Sequence, residues 1–175
     1  MSVLMQKPKT LVDVYRLLPE GTPIQVINNQ FYMSPSPSFQ HFDILDKISD
    51  AIKEEVKRQN AGRVFFAPLD VFFGEKSAVQ PDIFFISNAN NHIIKEDGIY
   101  GTPDFIVEVL SPRNRNTDLV KKKVLYEQFG VKEYFVVEPS DKTVLSFYLK
   151  DGKYIEPKKQ KGKFTSKQLN KTFSF

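Results

Sequence analysis

The stretch Pro103 to Pro112 reads PDFIVEVLSP and sets one carboxylate, Glu108, inside an otherwise apolar run. A run such as Phe105 to Leu110, bounded by prolines, fits a central strand buried on both faces, where continuous apolar character replaces the usual alternation. An ionised glutamate in that position is costly unless a positive group offsets it. The chain must therefore supply a partner. The competing reading is a glutamate at the frayed end of the strand, beside Ser111 and Pro112, facing water.

The search for that partner follows the chain. Thr10 and Asp13 have the spacing of a helix-capping box, followed by Leu11, Val14, Leu17 and Leu18 at helical intervals and a turn at Pro19–Glu20–Gly21. Asn28–Asn29 between Ile24–Ile27 and Gln30–Met33 predicts a two-residue hairpin, because asparagine tolerates left-handed dihedrals. SPSPS (34–38) is a stiff connector ending in a helix cap. From Phe39 to about Gln59 the pattern is helical, with Phe42, Leu45, Ile48, Ile52 and Val56 in one stripe. His41 falls on the apolar side of its first turn, where a histidine bonded to a backbone carbonyl is the expectation. Short strands are predicted at Arg63–Ala67, Leu69–Phe73 and Gln80–Ile86, and an irregular connection at Ser87–Gly101.

After the Glu108 strand, Thr117 has the makings of a helix cap, and Gly130 of a helix end. Leu119, Leu125, Tyr126 and Phe129 mark the buried face. Of Lys121, Lys122 and Lys123, only Lys122 lies in the middle of that face on a helical wheel. A lysine centred on an apolar stripe, one helix after a buried glutamate, is the partner sought. The alternative is a snorkelling lysine whose stem packs while its ammonium reaches water. Glu133–Glu138 (EYFVVE) is a further strand, Val144–Leu149 with Lys153–Ile155 a hairpin, and the segment from Pro157 a lysine-rich tail with little expected order. One domain over 1–156 and a tail over 157–175 are expected, in an α/β fold with a mixed central sheet flanked by helices.

Asp82 precedes one strand and Glu108 lies on another. If those strands pair, the two carboxylates meet, since neighbouring strands are about 4.8 Å apart. Asp104 is a weaker candidate, about 13 Å from Glu108 along the same strand. Two acids beside one lysine suit hydrolysis: the acids hold Mg²⁺ or Mn²⁺, and the lysine steadies the attacking water or the charge growing on a phosphate. Gln80, just before Pro81–Asp82, is suited to orienting a water. With no cysteine, thiolate chemistry is excluded, and two histidines, His41 and His92, leave no basis for a histidine-rich zinc site. No stretch approaches a membrane span, and MSVLMQKPKT lacks the apolar core of a signal peptide, so a cytoplasmic protein is expected.

VQPDIFFIS, GTPDFIVEVLSP and DLVKKKVLYEQFGVKEYFVVEP, in this order, together resemble the Uma-two family within the PD-(D/E)XK nuclease superfamily; SPSPSFQH and GRVFFAPLDV are similar to it as well. The resemblance spans most of the chain to about Leu149. It implies a restriction-endonuclease-like core and a metal-dependent nuclease, with Asp82 and Glu108 as metal ligands. The superfamily usually carries its lysine two residues after the acid, a position held here by Leu110. In the Uma-two pattern the lysine comes from the following helix and matches Lys122. Asp70 and His41 also fall on positions similar to the family pattern, implying auxiliary roles.

A phosphodiester substrate calls for a positive rim, for which Arg113, Arg115, Lys121 and Lys123 flank the site in sequence. No base-reading module is present, and dimerisation follows only by analogy with nucleases that cut both strands. Two other functions fit the same residues. One is a nucleic-acid-binding or regulatory protein that keeps the fold without catalysis, and the other is an interaction module in which Glu108 and Lys122 form only a buried salt bridge.

Overall fold

A computed structural model describes residues 7–19, 21–34 and 36–175. Met1–Gln6 of the segment weighed as a leader, Glu20 of the expected turn and Pro35 of the SPSPS connector lie outside these residues. The capping box forms: the Asp13 amide donates to Thr10 Oγ1 (3.1 Å) and the Thr10 amide to Asp13 Oδ2 (3.0 Å). The helix it starts, α1 (Leu11–Tyr15), is a short one that buries Val12 and Tyr15, while Leu17 stays in solvent. Strands β1 (Ile24–Ile27) and β2 (Gln30–Met33) turn at Asn28–Asn29, both at positive φ as the hairpin requires. Ser38 caps α2 (Phe39–Gln59), accepting from the His41 amide, and Asn60 closes it in the left-handed conformation. The stripe is as expected at Ile48, Ile52 and Val56, but Ile44 rather than Phe42 begins it.

Then follow β3 (Gly62–Phe66), β4 (Val71–Phe73), the unexpected β5 (Ser77–Val79), β6 (Ile83–Ser87), and, within the connection expected to be irregular, a 3₁₀ turn (Asn88–Ile93) with β7 (Ile94–Lys95) and β8 (Gly98–Tyr100). The Glu108 strand is β9 (Phe105–Val109), every residue of it buried. Residues Thr117–Lys122 wind as a π-helix that continues into α3 (Lys123–Gln128). Thr117 does not cap it, because Asn116 is already helical and makes no side-chain capping bond. The chain ends through β10 (Glu133–Glu138), β11 (Thr143–Lys150), β12 (Lys153–Tyr154), β13 (Lys158–Lys161), β14 (Lys163–Ser166) and β15 (Lys171–Ser174).

The central sheet is mixed, in the order β12–β11–β10–β9–β6–β3, with β13 paired to β11 as well. Strand β9 runs parallel to β10, setting Glu108 opposite Val136, and antiparallel to β6, setting Ile83 opposite Val107. Continuing that register by one residue brings Asp82 level with Glu108. On one face, Ile83, Phe85, Phe105, Val107 and Phe135 meet the apolar stripe of α2; on the other, Phe84, Ile106, Tyr134 and Val136 meet Leu125 and Tyr126 of α3. The second sheet, β2–β1–β5–β4–β8–β7, covers the α3 side through Ile27, Val71, Phe73, Val79 and Ile99.

The C-terminal segment is not a loose tail. Strand β13 extends the central sheet, and the β14–β15 hairpin buries Phe164, Leu169 and Phe173 against Phe135, Val137 and the α2 face. Glu133 anchors it, accepting from Ser166 Oγ (2.6 Å) and from the amides of Lys167 (2.6 Å) and Gln168 (3.1 Å). Lysines dominate the composition here, yet they sit on the outer positions while the apolar residues between them turn inward.

Candidate active site

Glu108 points from the middle of the central sheet toward α3 and is 2% exposed. Its Oε1 receives two buried donors, Lys122 Nζ at 2.8 Å and Tyr126 Oη at 2.8 Å. Lys122 is itself 2% exposed, so it does not snorkel, and the strand is not frayed at Glu108. The ammonium also lies 3.2 Å from Asp118 Oδ1, a buried oxygen that no donor engages in hydrogen-bonding geometry. Asp118, Lys122 and Tyr126 form a row at intervals of four on the sheet-facing side of the helix. The π-helical turn lies under its first two members, and Tyr134 Oη holds it by donating to the Asp118 carbonyl (2.9 Å).

Asp82 closes the cluster from the strand side. Its Oδ2 accepts the Val109 amide (2.7 Å), one residue past Glu108, and His41 Nε2 (3.1 Å). His41 is thus a side-chain partner of Asp82, a contact its helix alone did not announce, and the Val109 backbone beside it also favours the protonated ring. Its Nδ1 is buried without a partner.

Asp82, Glu108, Lys122, His41, Gln80 and Asp118 line a single cavity of about 340 Å³. Burial pushes the carboxyl groups of Glu108 and Asp118 upward, against the pull of Lys122 and with the help of Asp82. Burial pushes Lys122 down, but Glu108, Asp118 and Asp82 outweigh it and hold the ammonium well above the ordinary lysine range. For His41, burial pushes the imidazole down and Asp82 more than restores it. Among the described residues no three His, Cys, Asp or Glu side chains converge tightly enough to cage an ion. Mg²⁺ does not need such a cage, since it keeps several waters and takes one or two protein carboxylates plus substrate oxygens. The hard oxygens of Asp82 and Glu108 fit that ion in chemistry and number.

The remaining expected residues are dispersed. Asp70 lies outside the cavity, accepting from Tyr15 Oη (2.7 Å) and Gln80 Nε2 (3.0 Å), and among the described residues it reaches the site through Gln80. Arg115 pairs with Glu138, Lys121 lies over the Tyr32 ring (4.9 Å) and Lys123 over the Phe147 ring (5.1 Å), while Arg113 is exposed in the turn after Ser111. Asp118 and Tyr126 were missed in the sequence. Their spacing of four from Lys122 was the available signal.

The family model described as "Putative restriction endonuclease", Uma2, matches residues 11–170. The chain belongs to the Uma2 family. A solved structure, "a putative nuclease belonging to DUF820" from Anabaena variabilis, is similar over 93% of this chain and 92% of that one, with a TM-score of 0.77 and 22% identity. The fold is that of this nuclease-like protein, as the sequence resemblance implied. No curated protein matches the chain. In this fold Glu108 on β9 and Lys122 on the helix after it stand on separate elements.

Proposed function

We propose that this Uma2 protein is a divalent-metal-dependent nuclease that hydrolyses phosphodiester bonds of DNA at the Glu108 cleft. The observation that carries this reading is a buried, charged Lys122 bonded to Glu108 in the cavity that Asp82 also lines. Asp82 and Glu108 are the residues to hold Mg²⁺ or Mn²⁺, which when bound polarises a phosphate oxygen and lowers the pKa of a water. Lys122 and Tyr126 grip Glu108 through one oxygen, leaving Oε2 without a donor among the described residues and free to face a cation. The ammonium brings a fixed positive charge to the place where negative charge grows on the phosphate, and the low-dielectric surroundings strengthen it. His41 and the Val109 amide hold Asp82 in orientation.

The test is cleavage of plasmid and oligonucleotide DNA with Mg²⁺ or Mn²⁺, compared with Asp82→Asn, Glu108→Gln and Lys122→Met. Divalent-dependent cutting lost in all three supports the reading; cutting that survives Glu108→Gln overturns it. A non-catalytic DNA-binding protein has one observation on its side, the engagement of Glu108 Oε1 by two buried protein donors, Lys122 and Tyr126. It predicts salt-dependent binding with no cutting in either metal.

A further inference from the structure

Phe42 departs from the rule that α2 otherwise follows. Its place on the helical stripe calls for burial, yet the residue is 58% exposed, and Phe39, one turn earlier on the same side, is 86% exposed. Phe42 is not a stray surface ring. With Pro23, Pro37, Leu45 and Pro68 it forms an apolar wall of the cavity that contains Lys122 and Glu108. An apolar wall beside a floor whose Asp82 and Glu108 carboxylates would hold a cation matches a ligand with one flat apolar part and one anionic part that meets that cation. At about 340 Å³ the cavity is at the small end of those that enclose a single small molecule. A duplex, whose major groove alone is about 12 Å wide, does not enter it. Gly21, Thr22, Pro68 and Gln80 are shared with an adjoining depression of about 770 Å³, which offers room for the next unit of a polymer on that side.

We propose that the cleft takes an unpaired nucleotide of a single-stranded or frayed DNA, its base stacked on Phe42 and its phosphate turned to the Lys122 side, an assignment that rests on the nuclease reading. Phe39 extends the platform for a neighbouring base. Every base has a π face, so such a wall selects strand state without selecting sequence. This agrees with the lack of a base-reading module in the chain.

The experiment measures binding of fluorescein-labelled single-stranded dT₂₀ and of a 20-base-pair duplex to the full chain by anisotropy, with Ca²⁺ in place of Mg²⁺. In Phe42→Ala the single-strand Kd is expected to rise about 5- to 150-fold, the range for loss of one base–aromatic stack. Duplex binding and thermal midpoint should stay unchanged, because the ring is already exposed. An unchanged single-strand Kd, an equal loss for the duplex, or no oligonucleotide binding by the native chain overturns the proposal. So does a dimer seen in sedimentation that Phe42→Ala dissolves with oligonucleotide binding unaltered, which makes the rings a seam between two copies. Binding is read without cleavage, so the two readings fail separately. A chain that holds single strands through Phe42 and never cuts supports this inference and overturns the nuclease reading. One that cuts duplexes equally well as Phe42→Ala does the reverse.

Discussion

Replacing Lys122 by Met tests the buried pair at its centre. At 2.8 Å, with an effective dielectric of about 20, the attraction between Lys122 and an ionised Glu108 is about 6 kcal/mol. The contact with Asp118 at 3.2 Å adds about 5 kcal/mol if that group is also ionised. Most of this offsets the desolvation of two side chains that are each 2% exposed. Removing one partner from such a pair strands the other, at a cost of about 3–5 kcal/mol. A domain in the middle of the usual range of about 5–15 kcal/mol remains folded after that loss. The double variant Glu108→Leu/Lys122→Met strands no unpaired charge at position 108. It leaves the Tyr126 hydroxyl without its acceptor and Asp118 without its cation, and Asp118 can relieve its own cost by taking a proton. We expect it to be destabilised by about 1–3 kcal/mol, less than Lys122→Met alone. Urea unfolding followed by circular dichroism reads both. With a slope of about 2 kcal/mol per molar, the midpoint falls by about 2 M for the single variant and by about half that for the double. If the double variant is as unstable as the sum of its two single variants, Glu108 and Lys122 are not coupled and the reasoning is wrong.

Two other predictions concern the frame around the site. Phe164→Ala should cost about 3–5 kcal/mol in the same assay, because the ring is fully buried under the C-terminal hairpin; a loss below about 1 kcal/mol would restore the loose-tail reading. Asp104 accepts from the Ser87 amide (2.7 Å), Asn90 Nδ2 (3.0 Å) and Lys132 Nζ (2.6 Å); burial pushes its carboxyl up, but these donors prevail and hold its pKa below the ordinary value of an unfolded aspartate. Its contribution is therefore complete above that unfolded-state value and lost as pH falls through the lower folded value, so Asp104→Asn should flatten the acid limb of thermal midpoint against pH below about 4; an unchanged acid limb counts against it.

The strands and helices nearest the site were legible because their physics is local. PDFIVEVLSP announces a strand buried on both faces, and a carboxylate in it demands a partner wherever the chain goes. The wheel that centred Lys122 also carries Asp118 and Tyr126 at intervals of four, yet nothing in the pattern distinguishes a phenol that fills space from one that donates to Glu108. Phe42 misled for the opposite reason. Periodicity marks a face, but only the neighbouring elements determine where along that face the core stops and the cleft begins. The lysine-rich C-terminal segment misled through composition, which counts residues without regard to the side of the strand each takes.

What the chain alone determined was the need for charge compensation at Glu108 and the element that meets it, since burial in a central strand and helical spacing are both properties of short segments. What only the tertiary structure decided was the company that pair keeps. The register of β6 against β9 brings Asp82 to the level of Glu108, the start of α2 sets His41 on Asp82, and two sheets leave a cavity with Phe42 at its wall. These contacts join residues far apart in the chain, and their distances follow from packing that no local pattern encodes.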